Sequence, residues 1–156
     1  WDIDLVYSDV AQAPADVEAQ LGARRLNLDE LLSRSDVVSL HCPLNRHTRH
    51  LIGEEQLRRM KPTALLINTC RGPVVDEVAL QKALREGWIA AAGLDVLEKE
   101  PADSDNPLLN MPNVLVTPHI AGSTAERVRR ATEFALANVE RVIAGQPPLS
   151  LVNVQG

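Results

Sequence analysis

The sequence predicts an α/β fold in which helices alternate with the strands of a parallel sheet. Short apolar runs recur between amphipathic segments along the chain, which is the spacing of βα units. Three of these runs end in loops that carry a charged or titratable side chain, namely Arg71, Glu100 and His119. With 156 residues, of which 45% are hydrophobic, the chain is long enough to bury the core of one domain.

The first part of the chain contains three predicted strands and three predicted helices. The predicted strands are Ile3–Tyr7, Arg24–Leu26 and Val37–Leu40. The predicted helices are Pro14–Leu21, Leu28–Ser33 and Glu54–Met60. The first of these helices opens with Pro14, which suits a first turn because no intrahelical N–H bond is made there, and it is closed by Gly22. Asn27 is the predicted N-cap of the second helix, because its side chain can accept a hydrogen bond from the first turn.

The second part repeats the alternation with three further strands and two further helices. The predicted strands are Ala64–Asn68, a strand from about Ile89 to Val96, and Val114–Val116. The predicted helices are Glu77–Glu86, between the cap Asp76 and the terminator Gly87, and a last helix from Ser123 or Thr124 to Ala144 with the capping box Ser123–Glu126. The helix after Asp76 is predicted to bury Val78, Leu80, Ala83 and Leu84. Residues 101–112, rich in Pro, Asp and Asn, are predicted to form a loop.

The ends of three strands define a candidate site. Ala64–Asn68 leads to Arg71, Ala91–Val96 leads to Glu100, and Val114–Val116 leads through Thr117-Pro118 to His119. Ligands of open parallel sheets bind outside the carboxyl ends of the strands, so the three loops are expected to converge. An arginine, a carboxylate and an imidazole together can perform acid–base chemistry on an anion.

Charge and composition exclude several classes of function. The net charge is −5 and no basic run occurs, so neither nucleic acid nor an acidic membrane surface is an expected partner. No apolar run approaches the length of a membrane span, and the first residues lack the plan of a signal peptide. The two cysteines, Cys42 and Cys70, form neither a metal-binding pattern nor a disulfide framework. We therefore expect a cytoplasmic protein without a metal.

Three segments resemble the signature regions of one enzyme family. Asn68–Asp76, Gly93–Pro101 and Thr117–Thr124 are similar, in order and spacing, to those of the D-isomer-specific 2-hydroxyacid dehydrogenases. The resemblance implies a Rossmann-like, doubly wound parallel sheet that is incomplete at its N-terminus, since no G-x-G-x-x-G turn occurs in the sequence. It also implies that residues 1–156 are the C-terminal part of a dinucleotide-binding domain. The substrate domain and the first strand would then precede Trp1, and residues 146–156, including Leu149–Val154, would return toward that domain.

The chemistry of such a dehydrogenase suits the three strand-end residues. Hydride transfer to a carbonyl carbon needs a proton for the oxygen, and imidazole is the side chain that titrates nearest neutral pH. His119 is therefore the predicted acid/base. Glu100 would hold the ring and stabilise its protonated form, and Arg71 would bind the substrate carboxylate through its planar guanidinium. The expected partner is a small 2-hydroxy or 2-keto acid of the glyoxylate, hydroxypyruvate or phosphoglycerate type.

Each role has an alternative in the same sequence. Glu98 competes with Glu100 as the partner of the histidine, and His119 could be a structural turn residue. Arg71 could be a surface arginine, and Cys70 could be a packing residue or a reactive thiol. The remaining histidines, which we expect to be structural or loosely adjacent to a cofactor, are His41, His47 and His50.

The end of the first strand predicts the cofactor. Asp9 stands where an acid accepts the ribose hydroxyls, and no basic residue follows closely, so NAD is favoured over NADP. Asp9 could instead cap a turn, and Ser8 could take its place at the ribose. The resemblance implies that Pro43 lies near the adenosine and that Asp95 faces the nicotinamide carboxamide. The full predicted set of cofactor-binding residues is Asp9, Pro43, Thr69, Cys70, Arg71, Asp95, His119 and Gly122.

Two classes of function remain open at this stage. The first is a dehydrogenase, which by resemblance would be a homodimer in its full-length form. The second is a regulatory protein that senses NAD(H) without turnover, like the corepressors that resemble this family. Ile120–Ser123 lacks the aromatic bulk expected after the histidine of a corepressor, and this favours the enzyme. A formate dehydrogenase is disfavoured because it is expected to carry glutamine where Glu100 stands.

Overall fold

The computed structural model describes residues 3–151 in two compact units, which meet in sequence between His119 and Ile120. The strands of the first unit are β1 (Val6–Tyr7), β2 (Arg24–Arg25), β3 (Val37–Leu40), β4 (Leu65–Asn68), β5 (Ala91–Leu94) and β6 (Val114–Val116). Its α-helices are α1 (Ala15–Leu21), α2 (Leu28–Arg34), α3 (Glu54–Arg59) and α4 (Glu77–Glu86). The second unit contains α5 (Ala125–Ile143).

The sheet order confirms the predicted parallel α/β architecture. Strands β3, β4, β5 and β6 lie side by side in that order, and all three pairings are parallel. Leu40 pairs with Asn68, Asn68 pairs with Leu94, and Leu94 pairs with Val116. The carboxyl ends of these four strands therefore lie at one edge of the sheet. Strands β1 and β2 form a separate parallel pair.

The core of the first unit lies where α4 and its neighbours cover the four-stranded sheet. Residues of α4 that are buried are Ala79, Leu80, Ala83 and Leu84. Val78, which we predicted to be on the inner face, is 74% exposed. The helical period explains the difference, because positions 79, 80, 83 and 84 lie on one face of the helix. Ala79, and not Val78 as predicted, is the first residue of that buried face.

The predicted helix caps are largely correct. The side chain of Asn27 accepts a hydrogen bond from the Glu30 N–H, and Asp76 accepts one from the Ala79 N–H. The predicted capping box of α5 is wrong by one residue. Its N-cap is Thr124 rather than Ser123, and the threonine side chain accepts a hydrogen bond from the Arg127 N–H. Glu126 is therefore at the second helical position and not at the third, from which a side chain could bond back to the N-cap.

Several predicted boundaries differ from the observed ones. Strand β1 begins at Val6 rather than Ile3, since β2 offers it only a two-residue pairing. Strand β5 begins at Ala91 rather than Ile89. The predicted loop 101–112 contains a 3₁₀-helix at Pro107–Asn110, and a second 3₁₀-helix at Gly72–Val74 was not predicted.

The predicted C-terminal segment is only partly described. Of the segment Leu149–Val154, residues 152–154 lie outside the described residues, as do residues 155 and 156. Within residues 3–151, no helix is long and apolar enough to cross a membrane.

Candidate active site

Buried Asn68, the last residue of β4, shapes the loop that carries Arg71. Its side-chain Oδ1 accepts a hydrogen bond from the Cys70 N–H at 3.1 Å, and its Nδ2 donates one to the Arg71 carbonyl at 3.0 Å. The side chain is 1% exposed, and a buried amide is stable only when its polar atoms are bonded in this way. Sequence analysis missed this role. An asparagine at the end of an apolar strand, before a loop of small residues, was the available signal.

Gly72 brings the Arg71 loop into contact with the loop that carries Glu100. A Cβ at this position would lie 1.9 Å from the Leu97 carbonyl oxygen and 2.5 Å from the Glu98 nitrogen. No side chain fits in that space, so only glycine lets the two backbones approach so closely. The guanidinium of Arg71 itself is exposed, and its Nη1 donates a hydrogen bond to the Cys70 carbonyl at 2.6 Å.

Glu100 and His119 form a hydrogen-bonded pair beyond β5 and β6. The His119 Nδ1 lies 2.7 Å from the Glu100 Oε2, and the other carboxylate oxygen accepts a hydrogen bond from the Leu97 N–H at 3.0 Å. A carboxylate at Nδ1 fixes the proton on that nitrogen. Within residues 3–151, Nε2 of His119 makes no hydrogen bond or ion pair, so it is the nitrogen that can exchange a proton with a ligand.

The backbone of His119 is also unusual. Its φ is +55°, a left-handed conformation that residues other than glycine seldom adopt. Its N–H donates hydrogen bonds to the Asp95 carbonyl at 2.9 Å and the Thr117 carbonyl at 3.0 Å. The Thr117 hydroxyl donates to the Asp95 carboxylate at 2.5 Å. The end of β5 therefore holds the histidine in a conformation of the kind that clusters at functional sites.

The charge on Glu100 follows from its surroundings. Partial burial acts to raise the pKa of Glu100, but hydrogen bonds from His119 and the Leu97 N–H, together with the charge of His119, outweigh it and lower the pKa below its ordinary value. Glu100 is therefore an anion at neutral pH. The structure brings Glu100 to His119, whereas the alternative partner Glu98 contacts His50.

An open cavity of about 510 Å³ lies at the carboxyl ends of β3 and β4. Its lining residues are His41, Cys42, Pro43, Leu44, Thr69, Cys70 and Arg71. Four residues of the predicted cofactor set thus surround one space. Burial, followed by the neighbouring Cys70, raises the pKa of the Cys42 thiol, so this cysteine stays protonated at neutral pH.

Asp9 is not among the residues that line that cavity. The Asp9 Oδ1 accepts a hydrogen bond from the Ala11 N–H at 3.0 Å, which is the turn-capping alternative. Arg25 donates hydrogen bonds to the Asp9 carbonyl at 2.7 Å and the Val10 carbonyl at 3.2 Å. Arg25 lies on the neighbouring strand β2, 16 positions along the chain, and its contact with Asp9 was not predicted from the residues that directly follow Asp9. Gly122 belongs to the second unit.

Comparison with known proteins identifies the family. Residues 1–121 match the family described as the D-isomer specific 2-hydroxyacid dehydrogenase, NAD binding domain. The chain belongs to this family. Within residues 3–151, no three or more His, Cys, Asp or Glu side chains are grouped so that they could hold a metal ion.

Two curated relatives show the range of enzymes that resemble this NAD-binding domain. The chain is 49% identical over 154 residues to a glyoxylate reductase of Thermofilum pendens, covering 98% of this chain and 45% of that protein. It is 48% identical over 141 residues to the glyoxylate/hydroxypyruvate reductase B of Pectobacterium atrosepticum, covering 90% of this chain and 44% of that protein. The chain thus spans about half the length of these relatives.

Solved structures of 2-hydroxyacid dehydrogenases have the same fold. The apo D-mandelate dehydrogenase of Rhodotorula graminis superposes with a TM-score of 0.87 at 41% identity, covering 97% of this chain and 44% of that one. The D-lactate dehydrogenase of Lactobacillus jensenii with NAD+ superposes with a TM-score of 0.88 at 35% identity, covering 96% and 48%. These similarities confirm the predicted Rossmann-like fold and the NAD-binding class.

Proposed function

We propose that this chain is the NAD-binding part of an oxidoreductase that interconverts a small 2-keto acid and the corresponding D-2-hydroxy acid. The observation that carries the proposal is the Glu100–His119 pair at the carboxyl edge of the sheet. The loop that carries Glu100 is in backbone contact, at Gly72, with the loop of Arg71. The carboxylate that holds the proton donor and the anion-binding group thus belong to two loops that are packed together.

His119 supplies the proton in the direction of reduction. Its Nε2–H bond breaks as an O–H bond forms on the substrate oxygen, and in the oxidative direction the same nitrogen takes the proton back. Glu100 remains an anion, fixes the ring through Nδ1 and compensates the positive charge of the imidazolium. In this account it does not itself become protonated.

Arg71 binds the carboxylate of the substrate. Within residues 3–151, only its Nη1 makes a hydrogen bond, to the Cys70 carbonyl, so other N–H groups of the guanidinium can point to a carboxylate. The same positive charge would polarise the adjacent carbonyl of a 2-keto acid. Recognition and activation of the substrate would then come from one residue.

The residues at the strand ends fit a dinucleotide. The cavity next to β3 and β4 has the size range of a cofactor site, and carboxylates stand at the ends of β1 and β5. The residues that we propose for NAD are Asp9, Pro43, Thr69, Cys70, Arg71, Asp95, His119 and Gly122. Bound NAD(H) supplies hydride-transfer chemistry at the substrate carbon.

The substrate class is glyoxylate, hydroxypyruvate or a similar small 2-keto acid. This choice is supported by the names of the relatives, a glyoxylate reductase and a glyoxylate/hydroxypyruvate reductase. We also propose that the protein acts in the cytoplasm, since Cys42 and Cys70 are both free thiols, and that it works as a homodimer.

The proposal is tested by NADH oxidation in the full-length protein in which this sequence occurs. We expect glyoxylate or hydroxypyruvate to be reduced and Arg71→Lys to raise the KM of the keto acid about tenfold, because a point charge replaces a planar fork. Arg85→Lys on α4, where the guanidinium donates a hydrogen bond to the Gln81 carbonyl at 3.2 Å, should leave the KM unchanged. A protein that binds NADH but reduces no 2-keto acid would instead support the sensor.

A further inference from the structure

A second histidine–glutamate pair lies beside the first. The His50 Nε2 is 2.5 Å from the Glu98 Oε1, and the His50 Nδ1 is 4.0 Å from the Asp76 Oδ2. Both side chains of the close pair are partly buried, with 44% of the histidine and 33% of the glutamate exposed. His50 also has a positive φ, +52°. A non-glycine residue keeps this conformation only where its contacts hold it there.

The backbone of His50 is attached to the loop of Arg71. Its N–H donates a hydrogen bond to the Pro73 carbonyl at 2.8 Å, and the Ile52 N–H donates one to the Val74 carbonyl at 3.1 Å. Both acceptors belong to the 3₁₀-helix Gly72–Val74, which follows Arg71 directly. The segment that carries His50 therefore supports the loop that carries the arginine.

The side chain of His50 is attached to the loop of Glu100. Its partner Glu98 follows Leu97, whose N–H holds one oxygen of the Glu100 carboxylate at 3.0 Å. The Glu98 N–H in turn donates a hydrogen bond to the side chain of Glu77 at the start of α4. Any displacement of Glu98 moves Leu97, and with it the carboxylate that orients the ring of His119.

We propose that His50 and Glu98 are positioning residues that fix the Glu100 carboxylate against His119. The inference rests on the proposed function and deepens it by assigning a role to two side chains that are not among the residues lining the cavity at β3 and β4. His50 makes a backbone hydrogen bond to the Arg71 loop and a side-chain hydrogen bond to the Glu100 loop. No other residue within 3–151 combines these two contacts. It thus couples the anion-binding group to the proton donor.

The test compares His50→Ala and Glu98→Ala with a matched control from the same loop. Lys99 follows Glu98 directly, and Lys99→Ala removes the 2.6 Å ion pair between Lys99 and Asp103. This ion pair does not involve His50. We expect the first two variants to lower kcat about three- to tenfold and the control to leave it unchanged. The KM of NADH should change less than twofold in all three, because the cavity lining does not include residues 50, 98 or 99.

The pH profile separates positioning from a general loss of structure. A loosened Glu100 stabilises the imidazolium less, so the alkaline limb of kcat should move to lower pH in His50→Ala and Glu98→Ala. The groups that face His50 are Glu98 and Asp76, and Glu77 faces the backbone of Glu98. His50→Gln, which keeps a nitrogen donor for Glu98, should restore most of kcat and the limb.

The inference can fail independently of the proposed function. The Nδ1 proton of His119 gives an NMR signal that reports its hydrogen bond to Glu100 without any turnover. We expect this signal to shift or broaden in His50→Ala and to be unchanged in Lys99→Ala. An unchanged signal, an unmoved alkaline limb, or equal losses of kcat in the control would each overturn the positioning role.

Discussion

Two histidine–glutamate pairs use the same loop for different purposes. Glu98 contacts His50 at 2.5 Å and Glu100 contacts His119 at 2.7 Å, and both histidines have a left-handed backbone. The pairs differ in what the second ring nitrogen faces. In His50 it faces the carboxylate of Asp76 at 4.0 Å, whereas in His119 it has no partner among residues 3–151.

This difference shows that the pair alone does not define a catalytic group. A histidine whose two nitrogens both face carboxylates of its own chain has no nitrogen left for a substrate. A histidine with one engaged nitrogen has a fixed ring and a free site for proton exchange. The role therefore depends on the second nitrogen, and substitutions at the two pairs should have unequal effects.

The largest expected effect comes from replacing the histidine with the free nitrogen. His119→Asn removes the proposed proton donor, and kcat in the full-length protein should fall about 10²- to 10⁴-fold, the usual contribution of general acid–base catalysis. Binding of NADH, measured by fluorescence titration, should persist. Equal losses in His119→Asn and His50→Asn would contradict the distinction between the two pairs.

The next largest effect should come from the glycine that joins the loops. Gly72→Ala places a Cβ against the Leu97 carbonyl, and the two loops must separate to accommodate it. We expect the free energy of unfolding to fall by about 1–3 kcal/mol, as in other overpacked sites, together with a loss of kcat. Urea denaturation measures the former. Gly53→Ala is the control, since a Cβ there would meet its nearest atom at 3.6 Å.

Replacing the glutamate that pairs with His119 should have a smaller effect. Glu100→Gln keeps a hydrogen-bond acceptor but removes the negative charge, so kcat should fall about 10- to 100-fold, less than for loss of the histidine itself. The alkaline limb of the pH–rate profile should move to lower pH, because the imidazolium loses its compensating charge. Glu98→Gln serves as the comparison and should shift the limb less.

The smallest expected effect is on stability in acid. The pKa of Glu100 is lowered in the folded protein, so its stabilising contribution is present above its ordinary value of 4.5 and is lost as the pH falls through the lower, folded value. The difference in unfolding free energy between the wild type and Glu100→Gln should therefore shrink as the pH falls below 4.5. Denaturation at a series of pH values measures it. A difference that grows as the pH falls below 4.5 would contradict the sign.

The sequence was sufficient where one local rule decides the structure. Parallel strands align their carboxyl ends, so apolar runs followed by Arg71, Glu100 and His119 predicted one edge for all three. Contacts between distant segments were not predictable in this way. His50 and Glu98 are 48 positions apart, and nothing near either residue signals the other. The hydrogen bond from Arg25 to the Asp9 carbonyl was not predicted for the same reason.

The close approach at Gly72 has a consequence for protein engineering. The backbone of Leu97 and Glu98 fills the space where a side chain would stand, so the two loops have complementary shapes. A chimaera that takes residues 95–100 from a relative, and keeps residues 69–75 of this chain, would bring together two loops whose shapes do not fit each other. The two segments should therefore be exchanged together.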